Sequence, residues 1–197
     1  MSTTARHDFQ TIANWVNPGD RVLDLGCGDG ALLAFIEDAR KVTGYGVEIT
    51  SEGVLASAQR GINVLQMDLE DGLSVFATNS FDYVILSRTL QAMHNTEGIL
   101  QEMMRVGRQV IVTFPNFGYW KNRYQVMMGR MPVSEEIPFE WFDTPNIHLC
   151  TLDDFEELCK EVGAHVLDRI VMTNGKEVYT LPNLLGSLAV YRIETEA

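Results

Sequence analysis

The sequence predicts an α/β protein with a mostly parallel, seven-stranded sheet, helices on both faces and a lid-like insert after strand five. From residue 21 to 114, apolar strand-like segments alternate with amphipathic helical ones, which is the rhythm of right-handed β-α-β crossovers. The segment 81–86 (FDYVIL) is nearly all apolar, as expected for a strand buried on both faces. Between residues 115 and 150 the alternation stops, and loops of that length in compact domains are generally functional or disordered.

Periodicity and turn residues place each element along the chain. Apolar residues recur at helical spacing at Phe9, Ile12, Ala13 and Val16, so the first helix is expected to end near Val16. The turn-forming cluster at 17–20 then leads into the first strand. Strands are predicted at 21–26, 42–48, 62–67, 81–86, 109–114, 165–173 and 184–193, and later helices at 31–39, 51–60, 97–107 and 151–163.

Three helix ends carry capping signals. Asp29 is expected to cap the helix that starts at residue 31. Gly107 is expected to end the fourth helix in the left-handed conformation. Thr151 is followed three residues later by Asp154, which resembles a capping box.

Length and composition predict one domain, 1–197, with the insert at about 115–150. The net charge of −12 opposes binding to nucleic acid or anionic lipid, because both need Lys and Arg to neutralise phosphates. Three cysteines, an odd and sparse set, are typical of reduced cytosolic thiols. The N-terminal segment lacks the apolar core of a signal peptide, and no run is long enough for a membrane span. We therefore expect a cytoplasmic protein whose partners are neither nucleic acid nor membrane.

A glycine loop follows the first strand in the stretch VLDLGCGDG, residues 22–30. Gly26, Gly28 and Ala31 fit the dinucleotide pattern G-x-G-x-x-G/A, and Glu48 follows about 20 residues later to hold a ribose. An NAD-linked oxidoreductase is therefore one candidate function.

Three acidic residues point to a different ligand. Asp24 lies two residues before Gly26, where its carboxylate would repel a pyrophosphate, and Asp68 ends the third strand as Glu48 ends the second. All three lie at the carboxyl ends of strands, where ligands bind in open α/β sheets. A ligand that meets three carboxylates should be cationic and carry a diol and an exocyclic amine. S-adenosylmethionine has these groups.

The segments VLDLGCGDG, GVEIT, MDLE and FDYVILS resemble, in this order, the cofactor-binding segments of class I S-adenosylmethionine-dependent methyltransferases. The resemblance implies their Rossmann-like fold and S-adenosylmethionine or S-adenosylhomocysteine as the ligand. It implies that Glu48 takes both ribose hydroxyls and that Asp68 and the Leu69 amide hold the adenine. Ser87 would line the methionine moiety. The implied cofactor-binding residues are Asp24, Gly26, Cys27, Gly28, Glu48, Ile49, Asp68, Leu69 and Ser87.

No catalytic residue is assigned from the sequence. Positioning can carry much of the barrier reduction in methyl transfer, so a base is needed only when the acceptor must lose a proton. The chain continues after the fourth strand as SRTLQAMHN, without an NPPY-like motif for amide methylation. His94 is either a base or a surface residue, and His148 is a second candidate for a substrate contact. No spacing of His, Cys and carboxylates suggests zinc.

The first part of the insert, 114–134, interleaves cations with aromatic residues and contains no acid. A folded lid, a partner surface and a substrate pocket are all compatible with this composition. Trp, Tyr, Met and Arg are enriched at protein interfaces. The cations are Lys121, Arg123 and Arg130, and the aromatic residues include Phe117, Tyr119, Trp120 and Tyr124.

The segments EMMRVGRQVIVTFPNFGYW and GRMPVSEEIPFEWFDTPNIHLCTLDDFEELC resemble one family in particular, the methionine biosynthesis proteins MetW. The similarity runs from about residue 6 to 170, and generic methyltransferases lack the insert. The resemblance implies an accessory or regulatory partner of MetX, a homoserine O-acyltransferase. An active small-molecule methyltransferase is the alternative. The residues predicted to contact the partner are Phe117, Tyr119, Trp120 and Arg123.

Overall fold

The computed structural model describes residues 7–195, and its elements follow the predicted alternation. The strands are β1 (Arg21–Leu25), β2 (Thr43–Glu48), β3 (Asn63–Gln66), β4 (Phe81–Ser87), β5 (Gly107–Pro115), β6 (Ala164–Thr173), β7 (Lys176–Glu177) and β8 (Leu188–Thr195). The helices are α1 (His7–Trp15), α2 (Ala31–Arg40), α3 (Ser51–Gln59), α4 (Thr96–Val106), α5 (Trp120–Met127), α6 (Leu152–Glu161) and α7 (Pro182–Leu185). Short 3-10 turns at Leu69–Asp71 and Leu90–Ala92 follow β3 and β4.

The strands of the described chain form one sheet in the order β3-β2-β1-β4-β5-β8-β6-β7. β1 to β6 run in one direction, and β7 and β8 run against them. The predicted, mostly parallel α/β sheet is confirmed. The chain places β2 on one side of β1 and β4 on the other, so a crevice opens at the carboxyl ends of β1 and β4.

The sheet has an eighth strand that the sequence analysis missed. β7 is only two residues long and pairs antiparallel with the end of β6. Asn174 and Gly175 join the two strands with φ values of 50° and 70°. Positive φ at both central positions is typical of a type I′ hairpin turn, for which Asn-Gly is the strongest sequence signal. That dipeptide could therefore have predicted the extra strand.

Two apolar layers cover the sheet, because successive strand residues point to opposite faces. On one face α4 and α6 pack over the strands, and the rings of Phe114, Phe155 and Tyr191 have centroids 4.7 to 5.7 Å apart. On the other face, α1 and α2 bury Ile12 and Leu33. The two layers hold the strand ends in fixed positions at the edge where the ligand is predicted.

One of the three predicted helix ends is confirmed, and the other two differ from the prediction. The Thr151–Asp154 capping box is confirmed at the start of α6. Gly30, and not Asp29, occupies the N-cap position of α2 with a left-handed φ of 73°, while the Asp29 carboxylate accepts from the first helical amide, that of Ala31, at 3.2 Å. Gly107 does not end α4 in the left-handed conformation, because it is extended and begins β5. A Cβ at Gly107 would lie 2.6 Å from Val84 Cγ2, so close strand packing requires this glycine.

The last predicted strand starts later than expected. Residues 182–185, which contain two leucines, form the short helix α7, and β8 begins only at Leu188. Pro182 stands at the first helical position, where its missing amide hydrogen costs nothing. The proline therefore marks a helix start that the run of apolar residues conceals.

The insert is anchored at its two ends. The Phe117 amide donates to the Cys150 carbonyl at 3.0 Å, which closes the base of the loop. Near its second end, the amides of Ile147 and His148 donate to the Gln91 carbonyl at 2.7 and 3.0 Å. The first part of the insert contains α5, which no sequence period predicted. These contacts place the insert beside the carboxyl ends of β4 and β5.

Candidate ligand site at the carboxyl edge of the sheet

The glycine loop folds back over the end of β2. The amides of Gly26 and Cys27 both donate to the Val47 carbonyl, at 2.8 and 3.0 Å. Gly26 and Gly28 have φ values of 69° and 57°, which L side chains rarely adopt. A Cβ at Gly26 would also lie 2.8 Å from the Thr89 hydroxyl. The glycines are thus needed for the turn and for contact with the segment after β4.

Glu48 ends β2 and is only 8% exposed. Its Oε2 accepts from the Gly28 amide at 3.0 Å, and its Oε1 accepts from the amide and hydroxyl of Thr50, both at 2.8 Å. Thr50 is the N-cap of α3 and in turn accepts from the Gly53 amide. The carboxylate is therefore held in one orientation between the glycine loop and α3.

The other predicted cofactor residues lie along the same edge. Asp24 is buried in β1, opposite Gly46 of β2 and Ile85 of β4. Asp68 follows β3 and accepts from the Glu70 amide at 2.9 Å, which starts a 3-10 turn. Because β3, β2, β1 and β4 are neighbours, the structure brings the strand-end residues together. Their contacts with a ligand remain a prediction.

Of the three remaining side chains predicted to contact the cofactor, Ile49 and Leu69 differ in exposure, and Ser87 has a hydrogen-bond partner. Ile49 is exposed just beyond the end of β2. Leu69 is half-buried and packs against the larger core cluster. At the end of β4, the hydroxyls of Ser87 and Thr113 lie 3.2 Å apart.

Sequence reasoning missed Arg88, the residue that follows β4. Its φ is 57°, and its amide donates to the Thr113 carbonyl at 2.9 Å and to the Thr113 hydroxyl at 3.0 Å. Its guanidinium bridges Asp8 of α1 and Glu136 of the insert. No local sequence pattern connects three residues so far apart along the chain.

The two candidate histidines meet each other rather than the glycine loop. His148 Nε2 lies 3.4 Å from the His94 carbonyl, and the His94 amide donates to Glu70 at 2.6 Å. His148 lines a cavity of about 200 Å³ whose walls include Phe114 and Phe155. Within residues 7–195, no group of three or more metal-ligating side chains is found.

All three cysteines are free thiols with raised pKa values. Burial, reinforced by the charges of Asp24 and Glu48, raises the pKa of Cys27 to about 11. Burial likewise raises the pKa values of Cys150 and Cys159 to about 12. Because the thiolate is the reactive form, all three are expected to be inert in the folded protein.

We expect the native protein to react with iodoacetamide near neutral pH much more slowly than the protein in urea. A pKa two units above that of a free thiol lowers the thiolate fraction about 100-fold. Mass spectrometry of timed samples would measure labelling at each cysteine, with the urea-unfolded chain as the control. Fast labelling of native Cys27 would mean that the glycine loop opens readily.

The four predicted partner residues differ in their access to solvent. Tyr119 is buried, Phe117 is half-buried, and Trp120 and Arg123 are exposed. Arg123 Nε donates to the Gly118 carbonyl, which braces the start of α5. Among residues 7–195, none of the helices has the length and hydropathy that crossing a bilayer requires.

Solved structures with the same fold define the class. An S-adenosylmethionine-dependent methyltransferase from Mesorhizobium loti aligns with a TM-score of 0.71 at 13% identity, covering 96% of this chain and 98% of that one. A TehB-like methyltransferase from Corynebacterium glutamicum gives 0.67 at 13% identity, covering 98% and 89%. The cyclase SpnF gives 0.69 at 15% identity, covering 96% and 80%. The chain therefore has the class I methyltransferase fold, which by itself does not establish methyl transfer.

Sequence comparison identifies the family within that class. The model of the methionine biosynthesis protein MetW matches residues 6–193, and the chain belongs to this family. The bifunctional methionine biosynthesis protein MetXA/MetW of Rhodopirellula baltica is 39% identical over 98% of this chain, which spans about a third (33%) of that relative's length. A demethylmenaquinone methyltransferase of Corynebacterium efficiens is 32% identical over 76% of this chain and 68% of its own length.

Proposed function

We propose that this protein binds S-adenosylmethionine or S-adenosylhomocysteine and acts as an accessory or regulatory partner of a MetX-type homoserine O-acyltransferase. The observation that supports this choice of ligand is the row of acidic residues at the ends of the adjacent strands β3, β2 and β1. The partner is supported by the relative in which MetXA and MetW share one chain. Fusion keeps the two proteins at a high effective concentration. We expect the separate chain to achieve the same association by binding its acyltransferase directly.

The fixed Glu48 carboxylate fits a ribose diol. A carboxylate has about four acceptor positions, and the Gly28 amide takes one on Oε2 while the Thr50 amide takes one on Oε1. The Thr50 hydroxyl can rotate away, which leaves one position on each oxygen. Each ribose hydroxyl could then donate to a different oxygen of Glu48, while the two amides keep the carboxylate in place.

The remaining charges favour an adenosyl ligand over a dinucleotide. S-adenosylmethionine carries a sulfonium and an ammonium, which the field of Asp24 and Asp68 attracts. A dinucleotide would bring two phosphate charges to the same acidic edge. Asp68, at the neighbouring strand end, and the Leu69 amide are the groups proposed to hold the adenine.

The insert offers a surface suited to a protein partner. Trp141 and Phe142 are 70% and 71% exposed and pack edge to face, with ring centroids 5.8 Å apart. Exposed aromatic residues and methionines are typical of interface cores. The other exposed apolar residues of the insert include Trp120, Tyr124, Val126, Met127, Met128, Met131, Phe139 and Ile147. We name the exposed apolar residues between 120 and 147 the insert face.

Thermal unfolding with each ligand tests the cofactor part of the proposal. A ligand at 100 times its Kd stabilises the folded state by about 2.7 kcal/mol, which raises Tm by roughly 5–11 °C for a chain of this size. We expect this shift with S-adenosylmethionine or S-adenosylhomocysteine and none with NAD. A shift with NAD alone would overturn the ligand.

The partner part is tested separately. We expect the acyltransferase to co-purify with this protein and its activity to change when this protein is removed. If the acyltransferase neither co-purifies with this protein nor changes its activity when this protein is removed, the partner role is wrong even if the ligand binds.

A further inference from the structure

Arg88 has an unfavourable left-handed backbone conformation. It directly follows β4, at the carboxyl edge of the sheet where the ligand is proposed to bind. The left-handed region is sterically unfavourable for any residue other than glycine. Such strain persists only where surrounding contacts fix it, and it concentrates at functional sites. Here the two hydrogen bonds from the Arg88 amide to Thr113 hold the backbone in place. The conformation directs the chain from the end of β4 toward Thr89, which touches the glycine loop.

The Arg88 side chain joins two elements that are distant in sequence. Its Nε lies 3.3 Å from Asp8 Oδ2, and its Nη1 lies 2.7 Å from Glu136 Oε2. The two side chains are largely shielded from water, with 2% and 14% of their surface exposed. Burial raises the pKa of Glu136, and the positive charge of Arg88 opposes that rise. Removing one member of such a shielded pair leaves a poorly solvated charge, so these contacts are not interchangeable with surface ion pairs.

Of the two bridged elements, α1 is linked to the glycine loop through α2, and Glu136 belongs to the insert. α1 packs on α2, where Arg40 Nε donates to the Ala13 carbonyl at 2.7 Å, and α2 begins at the glycine loop. Glu136 lies in the insert between α5 and Trp141. Arg88 therefore connects α1 with the insert, and the next residue, Thr89, lies beside Gly26 of the glycine loop.

We propose that Arg88 is a positioning residue that couples occupancy of the adenosyl site to the conformation of the insert, through its bridge from Asp8 to Glu136. The proposal rests on the proposed function, because it needs an adenosyl ligand at this edge. A ligand that contacts Ser87 or the glycine loop also acts on the segment Ser87–Thr89. Any displacement of that segment changes the geometry of the bridge, and with it the order of the insert.

The first test compares two glutamates of the same insert in the ligand-free protein. Glu136→Gln removes one charge of the bridge, and Glu140→Gln removes an exposed charge four residues away as the matched control. Amide hydrogen exchange over residues 117–149 is measured by mass spectrometry. We expect exchange to rise about tenfold or more in E136Q, because the largely shielded ion pair with Arg88 is lost, and to stay unchanged in E140Q. Equal exchange in the two variants would show that the contact between Arg88 and Glu136 does not order the insert.

The second test separates coupling from a purely structural role. Arg88→Gly removes the side chain and relieves the strain, because glycine adopts a φ of 57° freely. With saturating S-adenosylmethionine, we expect insert exchange to change in the wild-type protein and not in R88G. Insert exchange that responds equally in R88G would show that Arg88 does not carry the coupling.

The Tm shift of the wild-type protein distinguishes a failure of the proposed coupling from a failure of the proposed ligand. A shift with S-adenosylmethionine but no change in insert exchange leaves the proposed function intact and overturns the coupling. No shift at all overturns the ligand, and the coupling with it.

Discussion

Replacing Glu48 by glutamine is expected to weaken S-adenosylmethionine binding at least about 100-fold, since hydrogen bonds to a charged group contribute about 1.5–3 kcal/mol each. The amide nitrogen of glutamine cannot accept a ribose hydroxyl, and it would face the Gly28 or Thr50 donors that now hold the carboxylate. Isothermal titration calorimetry with S-adenosylmethionine would measure the loss, and circular dichroism would show whether the variant is folded.

Asp29→Asn is the matched control for this change. Asp29 lies on the same glycine loop, but its carboxylate is exposed and pairs with Arg60 at 2.6 Å on the surface. Exposed ion pairs contribute about 0–1 kcal/mol, so D29N should bind the ligand nearly as tightly as the wild-type protein. Similar losses in a folded E48Q and in D29N would show that the ribose contact is assigned to the wrong carboxylate.

Changing Trp141 and Phe142 together to alanine is expected to lower affinity for the acyltransferase at least about 100-fold, because aromatic anchors at interfaces each contribute about 2 kcal/mol or more. Both side chains are largely exposed, so Tm should change little. Affinity for S-adenosylmethionine should also be unchanged, because the proposed ligand contacts all lie before residue 90. Titration of the acyltransferase, measured by interferometry, gives the partner affinity.

Tyr179→Ala is the control for the loss of an exposed aromatic side chain. Tyr179 is 84% exposed and lies outside the insert, just after β7. We expect Y179A to bind the acyltransferase as the wild-type protein does. Full affinity in the Trp141/Phe142 variant would place the partner surface elsewhere, and Trp120→Ala would then test the position predicted from the sequence.

Local patterns were sufficient to predict the framework of this protein. The apolar strands, the glycine loop and the Thr151–Asp154 capping box depend on residues within a few positions of one another, and all three are present. The row of strand-end carboxylates also followed from sequence, because parallel strands bring their carboxyl ends to one edge. The break in the alternation after the fifth strand located the insert. The family that the insert segments resemble is confirmed by the MetW match.

Tertiary structure decided what depends on distant neighbours. Gly107 resembles a helix terminator in sequence, but the proximity of Val84 on the adjacent strand gives it a different role. Residues 8, 88 and 136 meet only because α1, β4 and the insert converge at the carboxyl edge, and no sequence period spans such separations. The sequence by itself thus determined the sheet, the loop and the acids at its edge, since these arise from local propensity and strand direction. Only packing between distant elements determined how the insert is fastened to that edge.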